Sequence, residues 1–167
     1  MEGYLISRYV PELKGGHVND STIKIRLMKA DDFDAVVGIV LKVSEASRQT
    51  YYDLKFEKLF RSVDYLPVSL VAEKNDGTLV GFVMGELYQG EDGIFPEEAI
   101  LDAVCVDPDC RNRGIGGQLM TEFSDHLRKV GVQKLNTMAD PNNPQMLRFF
   151  KVNKFSPSKK INLERDL

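Results

Sequence analysis

The chain has 167 residues, 43% of them hydrophobic, which is enough for one core and leaves little room for a second domain. Its net charge of −3 argues against a broad electrostatic hold on nucleic acid or an anionic membrane, and it confines any anion site to a local patch. No run of about 18 apolar residues marks a membrane span, and the opening residues MEGYLISRYVPELKGG lack the basic-then-apolar layout of a signal peptide, so a cytoplasmic protein is expected. Cys105 and Cys110 flank Asp107-Pro108, and in that compartment they stay reduced. His17 and His126 lie far from the cysteines and from each other, with no metal-ligand spacing, so no metal is expected.

Residues 1–21 hold Pro11, Gly15-Gly16 and Asn19-Asp20-Ser21 without sustained periodicity and read as an N-terminal extension to a single domain over 22–167. Thr22 to Met28 alternates Ile23, Ile25 and Leu27 with Lys24 and Arg26, the period of a half-buried strand. Asp31 reads as the N-cap of a helix carrying Phe33, Val36, Val37, Val40 and Val43. A second helix is expected from Tyr52, Phe56, Leu59, Phe60 and Val63, ending before Pro67. Val68 to Lys74 and Leu79 to Tyr88 are strand-like runs around Asn75-Asp76-Gly77-Thr78, the composition of a hairpin turn between antiparallel strands. An acidic loop, QGEDGIFPEE, leads into a fourth strand from Ala99 to Val106 that stops at Asp107-Pro108. Ile115, Leu119, Phe123, Leu127 and Val130 then mark an amphipathic helix with His126 on its flank and Gly131 as its stop. Lys134 to Ala139 reads as a fifth strand, Asn143 to Asn153 as a short helix, and KINLERDL as a last strand. Fourth strand, helix and fifth strand form one βαβ unit.

The mouth of the third helix, CRNRGIGG, is the unusual feature. Each glycine inside a helix costs roughly 1 kcal/mol relative to alanine, so something other than helix stability selects Gly114, Gly116 and Gly117. A helix start offers unpaired N–H groups and partial positive charge, and glycines let a phosphate reach them. Residues Asn112 to Gly117 are therefore a candidate anion cradle, with Arg111 and Arg113 adding charge. The spacing excludes a P-loop, since no Lys-Ser or Lys-Thr follows the glycines, and it excludes a dinucleotide GxGxxG, since Leu119 stands where its last glycine would be.

VCVDPDCRNRGIGGQLM resembles the acetyl-CoA signature of the GNAT superfamily of N-acetyltransferases, with Val104, Val106, Pro108, Arg111, Gly114 and Gly116 in the pattern V-x-V-x-P-x-x-R-x-x-G-x-G. The likeness extends over residues 22–167 through the order of elements. NNPQMLRFFKVNKF resembles the family's N-x6-Y-x-x-x-G-F block, keeping Asn143 and Phe155 but placing Phe150 at the tyrosine and Lys154 at the glycine. The resemblance implies an α/β (α+β) fold with a mixed, mainly antiparallel central sheet and helices on both faces. It implies acetyl-CoA as cosubstrate, with the backbone of Val104, Cys105 and Val106 on the pantetheine arm. Arg111, Asn112, Arg113, Gly114, Ile115, Gly116 and Gly117 would take the pyrophosphate, and Asn143 and Phe150 stand at further cofactor positions. It also implies a splay between strands four and five at a bulge.

Direct transfer needs a neutral amine, whereas an alkyl amine has a pKa near 10.4, so a base or water chain must take its proton. The strand-five position where the family often has glutamate is Met138, which leaves Glu98, Glu86 and Asp102 as candidate bases. Phe150 cannot protonate the leaving thiolate, and that role passes to water or to Tyr88, Tyr51 or Tyr52. Cys105, in an apolar strand, reads as structural. The activity implied is acetyl transfer to a primary amine of a small molecule, peptide or protein. The alternative is a non-catalytic acyl-CoA-binding sensor, supported by Phe150 and Met138. Exposed sheet edges are compatible with a homodimer.

Overall fold

The computed structural model describes residues 23–43, 49–61, 68–87 and 98–159, together with Leu163 and Arg165. The N-terminal extension, Tyr88, residues 89–97 of the acidic loop and most of the closing strand lie outside these residues. Five strands, β1 (Ile23–Leu27), β2 (Leu70–Lys74), β3 (Leu79–Leu87), β4 (Glu98–Val106) and β5 (Lys134–Asn136), form one sheet in sequence order. The first four pair antiparallel and β4 pairs β5 in parallel, the mixed, mainly antiparallel sheet expected. The helices are α1 (Phe33–Val43), α2 (Gln49–Arg61), α3 (Ile115–Lys129) and α4 (Pro144–Val152). Two compact units divide the chain: one ends at Thr137 and holds the sheet with α1 to α3, the other runs from Met138 and holds α4.

The faces of the sheet follow from its pleat. A Cβ on Gly85 would lie 2.6 Å from Phe123 of α3 and 2.7 Å from the Ile100 carbonyl, so this position meets α3. The next residue, Glu86, bonds Lys55 of α2 and therefore points to the opposite face. The core on that second face joins Val36, Ile39 and Val40 of α1 and Tyr52, Phe56 and Leu59 of α2 to Phe82 and Met84 of β3, with Ala103 and Cys105 packed against it. Leu119, Phe123 and Leu127, spaced one turn apart along α3, are buried toward the other face.

Local signals explain the boundaries. Gly77 takes φ +86° in the β2–β3 turn, where Lys74 N–H donates to Thr78 O at 2.9 Å and Thr78 N–H donates to the Asp76 carboxylate at 2.9 Å. The N-cap before α1 is Lys29 rather than the expected Asp31, because a 3-10 turn precedes the helix. Asp31 is exposed, while Asp32 is buried in a short 3-10 turn, accepts the Lys29 N–H at 2.7 Å and takes both terminal nitrogens of Arg26 at 2.8 and 2.9 Å. Burial pushes the Asp32 carboxyl up, but the bonds from Arg26 and the Lys29 amide outweigh it and hold the group below its ordinary range. His126 is wholly buried rather than on the flank of α3, because the apolar stripe of that helix is wide enough to include it. β5 ends at Asn136, three residues short of the expected Ala139.

The register between β3 and β4 carries the feature that shapes the site. Met84 pairs Ala103 and Gly85 pairs Leu101, which leaves Asp102 as an extra residue in β4, a β-bulge. Before the bulge Ile100 shares a face with Glu86, and after it Ala103 and Cys105 share a face with Met84 and Phe82. β5 pairs only with Glu98, Ala99 and Ile100, so the parallel ladder stops as the bulge begins.

Candidate functional site

The upper half of β4 and the mouth of α3 adjoin. Asp107 N–H donates to Val80 O at 2.8 Å, so in the antiparallel alternation Asp107, Cys105 and Ala103 turn their backbone groups toward β3. Val104 and Val106 turn theirs the other way, along the edge that β5 leaves uncovered above Ile100. Arg111 reaches back to that edge, its Nε donating to Val106 O at 3.4 Å. The chain then turns through Asn112, at φ +61°, and Gly114, at φ +79°, into α3. Its N-cap, Gly114, supplies no side-chain capping bond. Gln118 N–H, donating to Gly114 O at 3.0 Å, is the first amide in its ladder, which leaves the amides of Ile115, Gly116 and Gly117 ahead of it. A Cβ on Gly114 or Gly117 would meet nothing within 4 Å. Among the described residues, the open space at Gly114 and Gly117, beside the exposed Arg111 and Arg113, is what a diphosphate requires.

The turn before the mouth is pinned from α1. Asp107, buried at the end of β4, accepts the Asp109 N–H at 3.0 Å and Lys42 Nζ at 2.7 Å, and Lys42 also stands 3.8 Å from the Asp109 carboxylate. The lysine bond holds the Asp107 carboxyl below its ordinary range, and the same bond raises Lys42.

Two of the three candidate bases meet on one lysine. Lys55 Nζ bonds Glu86 and, at 2.8 Å, the bulge residue Asp102, while Lys58 reaches Glu86 at 2.7 Å. Desolvation lowers Lys55, but the two carboxylates outweigh it and raise it overall. For Glu86, burial pushes upward and the two lysines more than offset it, so it lies below its usual range. Lys55 also sits 5.9 Å from the centre of the Tyr51 ring. Glu98 stands apart at the foot of the β4–β5 ladder, accepting from Asn136 Nδ2 at 2.9 Å and Lys134 Nζ at 3.3 Å. Tyr52 lies in the core, edge-on to Phe82, whereas Tyr51 is exposed beside the carboxylate pair.

The second unit holds Asn143 and Phe150. Asn143 caps α4 by accepting the Met146 N–H at 3.0 Å, and Phe150 packs between Phe149 and Phe155. Met138 is 83% exposed. Cys110 is a buried free thiol, and Cys105 is half-buried in β4. Among the described residues no cluster of His, Cys, Asp or Glu is arranged to hold a metal, and no helix is long and apolar enough to cross a membrane.

Sequence reasoning missed Lys42 and Lys55. Each pairs across a large separation, 65 residues to Asp107 and 47 to Asp102, and neither lies in a motif, so local pattern held no signal for them.

Comparison with known proteins agrees with this geometry. The curated L-2,4-diaminobutyric acid acetyltransferase of Nocardia farcinica (strain IFM 10152) is 30% identical over 111 residues, which are 66% of this chain and 55% of that protein. The chain thus matches about half the length of that relative. Among solved structures, the aminoglycoside acetyltransferase AAC(6')-Iy in complex with the bisubstrate analog CoA-S-monomethyl-acetylneamine superposes with a TM-score of 0.72 at 19% identity, covering 88% of this chain and 99% of that one. The ribosomal-protein-alanine N-acetyltransferase of Brucella melitensis biovar Abortus 2308 gives a TM-score of 0.65 at 21% identity, covering 87% and 99%. Residues 33–155 match the acetyltransferase (GNAT) family, and to that family the chain belongs.

Proposed function

We propose that the protein is an acetyl-CoA-dependent N-acetyltransferase acting on a primary amine, with Asp102 as its general base. The observation that carries the reading is the glycine-opened mouth of α3 continuing directly from the uncovered half of β4. Acetyl-CoA supplies an acetyl group already activated as a thioester. The amides of Ile115 to Gly117, with Arg111 and Arg113, would hold its diphosphate. The outward backbone groups of Val104 and Val106 would hold the pantetheine arm as a neighbouring strand would.

Asp102 is preferred to Glu98 and Glu86 on geometry. It occupies the bulge itself, where the β4–β5 ladder has just ended, whereas Glu98 is engaged within that ladder and Glu86 is held by two lysines. As the new C–N bond forms, the amine nitrogen becomes acidic enough for a carboxylate to accept its proton. Of the two described candidate tyrosines, Tyr51 rather than the core residue Tyr52 is assigned the role of protonating the departing sulfur in place of Phe150, since its ring is exposed and lies 5.9 Å from Lys55 Nζ. The L-2,4-diaminobutyric acid acetyltransferase relative is named for a small diamino acid, which supports a small amine acceptor. The free thiol of Cys110 suits a reducing, cytoplasmic setting.

The test is release of free thiol from acetyl-CoA across a panel of diamines, amino acids with side-chain amines, and peptides. Turnover with one class, lost in Asp102→Asn while CoA still binds, supports the assignment. Tight CoA binding with no thiol release from any amine would leave a sensor of acyl-CoA instead.

A further inference from the structure

Resting on the cofactor reading above, we infer that Lys42 is a positioning residue for the diphosphate cradle: it ties α1 to the turn before the mouth and cancels the acidic charge that the turn carries. The sequence DPDC places two carboxylates just ahead of a site built for an anion, which is an unfavourable arrangement if left alone. Asp107 cannot simply be dispensed with. Its Oδ1 accepts the Asp109 amide at 3.0 Å and so forms the 3-10 turn Pro108–Cys110. Its backbone also accepts the Cys110 N–H at 2.8 Å and donates to β3.

From that turn the chain of bonds continues forward. Arg111 N–H donates to Pro108 O and Arg111 Nε to Val106 O, both at 3.4 Å, so the position of the first cradle arginine is set by the turn that Asp107 organises. Lys42 is the cation that makes this arrangement compatible with a phosphate. It comes from the last turn of α1, bonds Asp107 at 2.7 Å and stands 3.8 Å from Asp109, serving both acids at once. Half of its side chain is exposed, so little apolar packing is lost if it is truncated.

The experiment is calorimetric titration of CoA into the intact protein. The variants are Lys42→Ala, Lys42→Arg, Asp107→Asn and the double variant Lys42→Ala/Asp107→Asn. Lys42→Ala is expected to weaken CoA about fivefold at low salt, with the deficit shrinking toward about 0.5 M salt as repulsion between the acidic turn and the diphosphate is screened. Lys42→Arg restores affinity. Asp107→Asn keeps the acceptor for the Asp109 amide while removing the charge, so in that background the Lys42→Ala deficit largely disappears. With a working acceptor, the loss falls on KM for acetyl-CoA and leaves kcat unchanged. Equal CoA affinity in wild type and Lys42→Ala overturns this inference alone, as does a deficit that persists unchanged in the Asp107→Asn background. Absence of CoA binding by the wild type overturns the cradle reading and this inference with it.

Discussion

Replacing Gly117 by alanine separates what the helix needs from what the cradle needs. Gly117 lies in the first turn of α3, and an added Cβ would meet no atom within 4 Å, so the protein accommodates it without strain. Relieving the glycine entropy cost is worth about 0.8–1.0 kcal/mol. For a chain of this length that raises the melting temperature by about 2–4 °C. The same methyl points back toward the N-terminus of the helix, as every helical Cβ does, into the space where a phosphate would approach the amides. Losing one hydrogen bond to a charged group costs about 1.5–3 kcal/mol, so the Kd for CoA should rise roughly tenfold to a hundredfold. Differential scanning calorimetry and CoA titration on the same preparation measure both arms. A variant that melts higher yet binds CoA as tightly as wild type refutes the assignment of this mouth to the diphosphate. A variant that melts lower refutes the open space above Gly117.

Gly85→Ala should behave in the opposite sense: its Cβ would lie 2.6 Å from Phe123 and 2.7 Å from a β4 carbonyl, both immobile, and a loss of about 3 kcal/mol in urea unfolding is expected. Lys55→Met removes one of the two lysines that hold Glu86 below its usual range, so Glu86 becomes harder to ionise. If Glu86 governs the acidic limb of the pH profile of kcat/KM, that limb should move to higher pH, and an unmoved limb would show that it does not. Asp32 titrates below its ordinary value when folded, so its stabilisation is complete above a carboxylate pKa of about 4 and is lost as pH falls through the folded value. Asp32→Asn should melt about 3 °C or more below wild type at pH 7, and the gap should close as the pH is lowered toward 2.

The alternation of Ile23, Ile25 and Leu27, the Asn75 to Thr78 turn and the spacing of Ile115, Leu119, Phe123 and Leu127 were readable because each is a local consequence of backbone geometry. The glycine mouth was readable for the same reason, since seven consecutive positions, Arg111 to Gly117, carry its chemistry. The bulge at Asp102 was not, because nothing within β4 distinguishes an extra residue from an exposed one until Met84 and Gly85 are paired against it. Glu86 and Asp102 could be named singly, but their meeting on Lys55 depends on how α2 crosses the sheet. The early end of β5 and the burial of His126 likewise arise from packing between elements, not within them.

The inserted residue in β4 makes that strand sensitive to length in a way that substitution would not reveal. Deleting Asp102 would remove the bulge yet leave Ala103 opposite Met84 and Cys105 opposite Phe82, so the core would keep its residues while the strand lost its local bend. Point changes at this position alter a charge and keep the bend. Loss of the codon would do the reverse in the packing, sparing the core and straightening the strand between the half that pairs with β5 and the half that runs to the helix mouth.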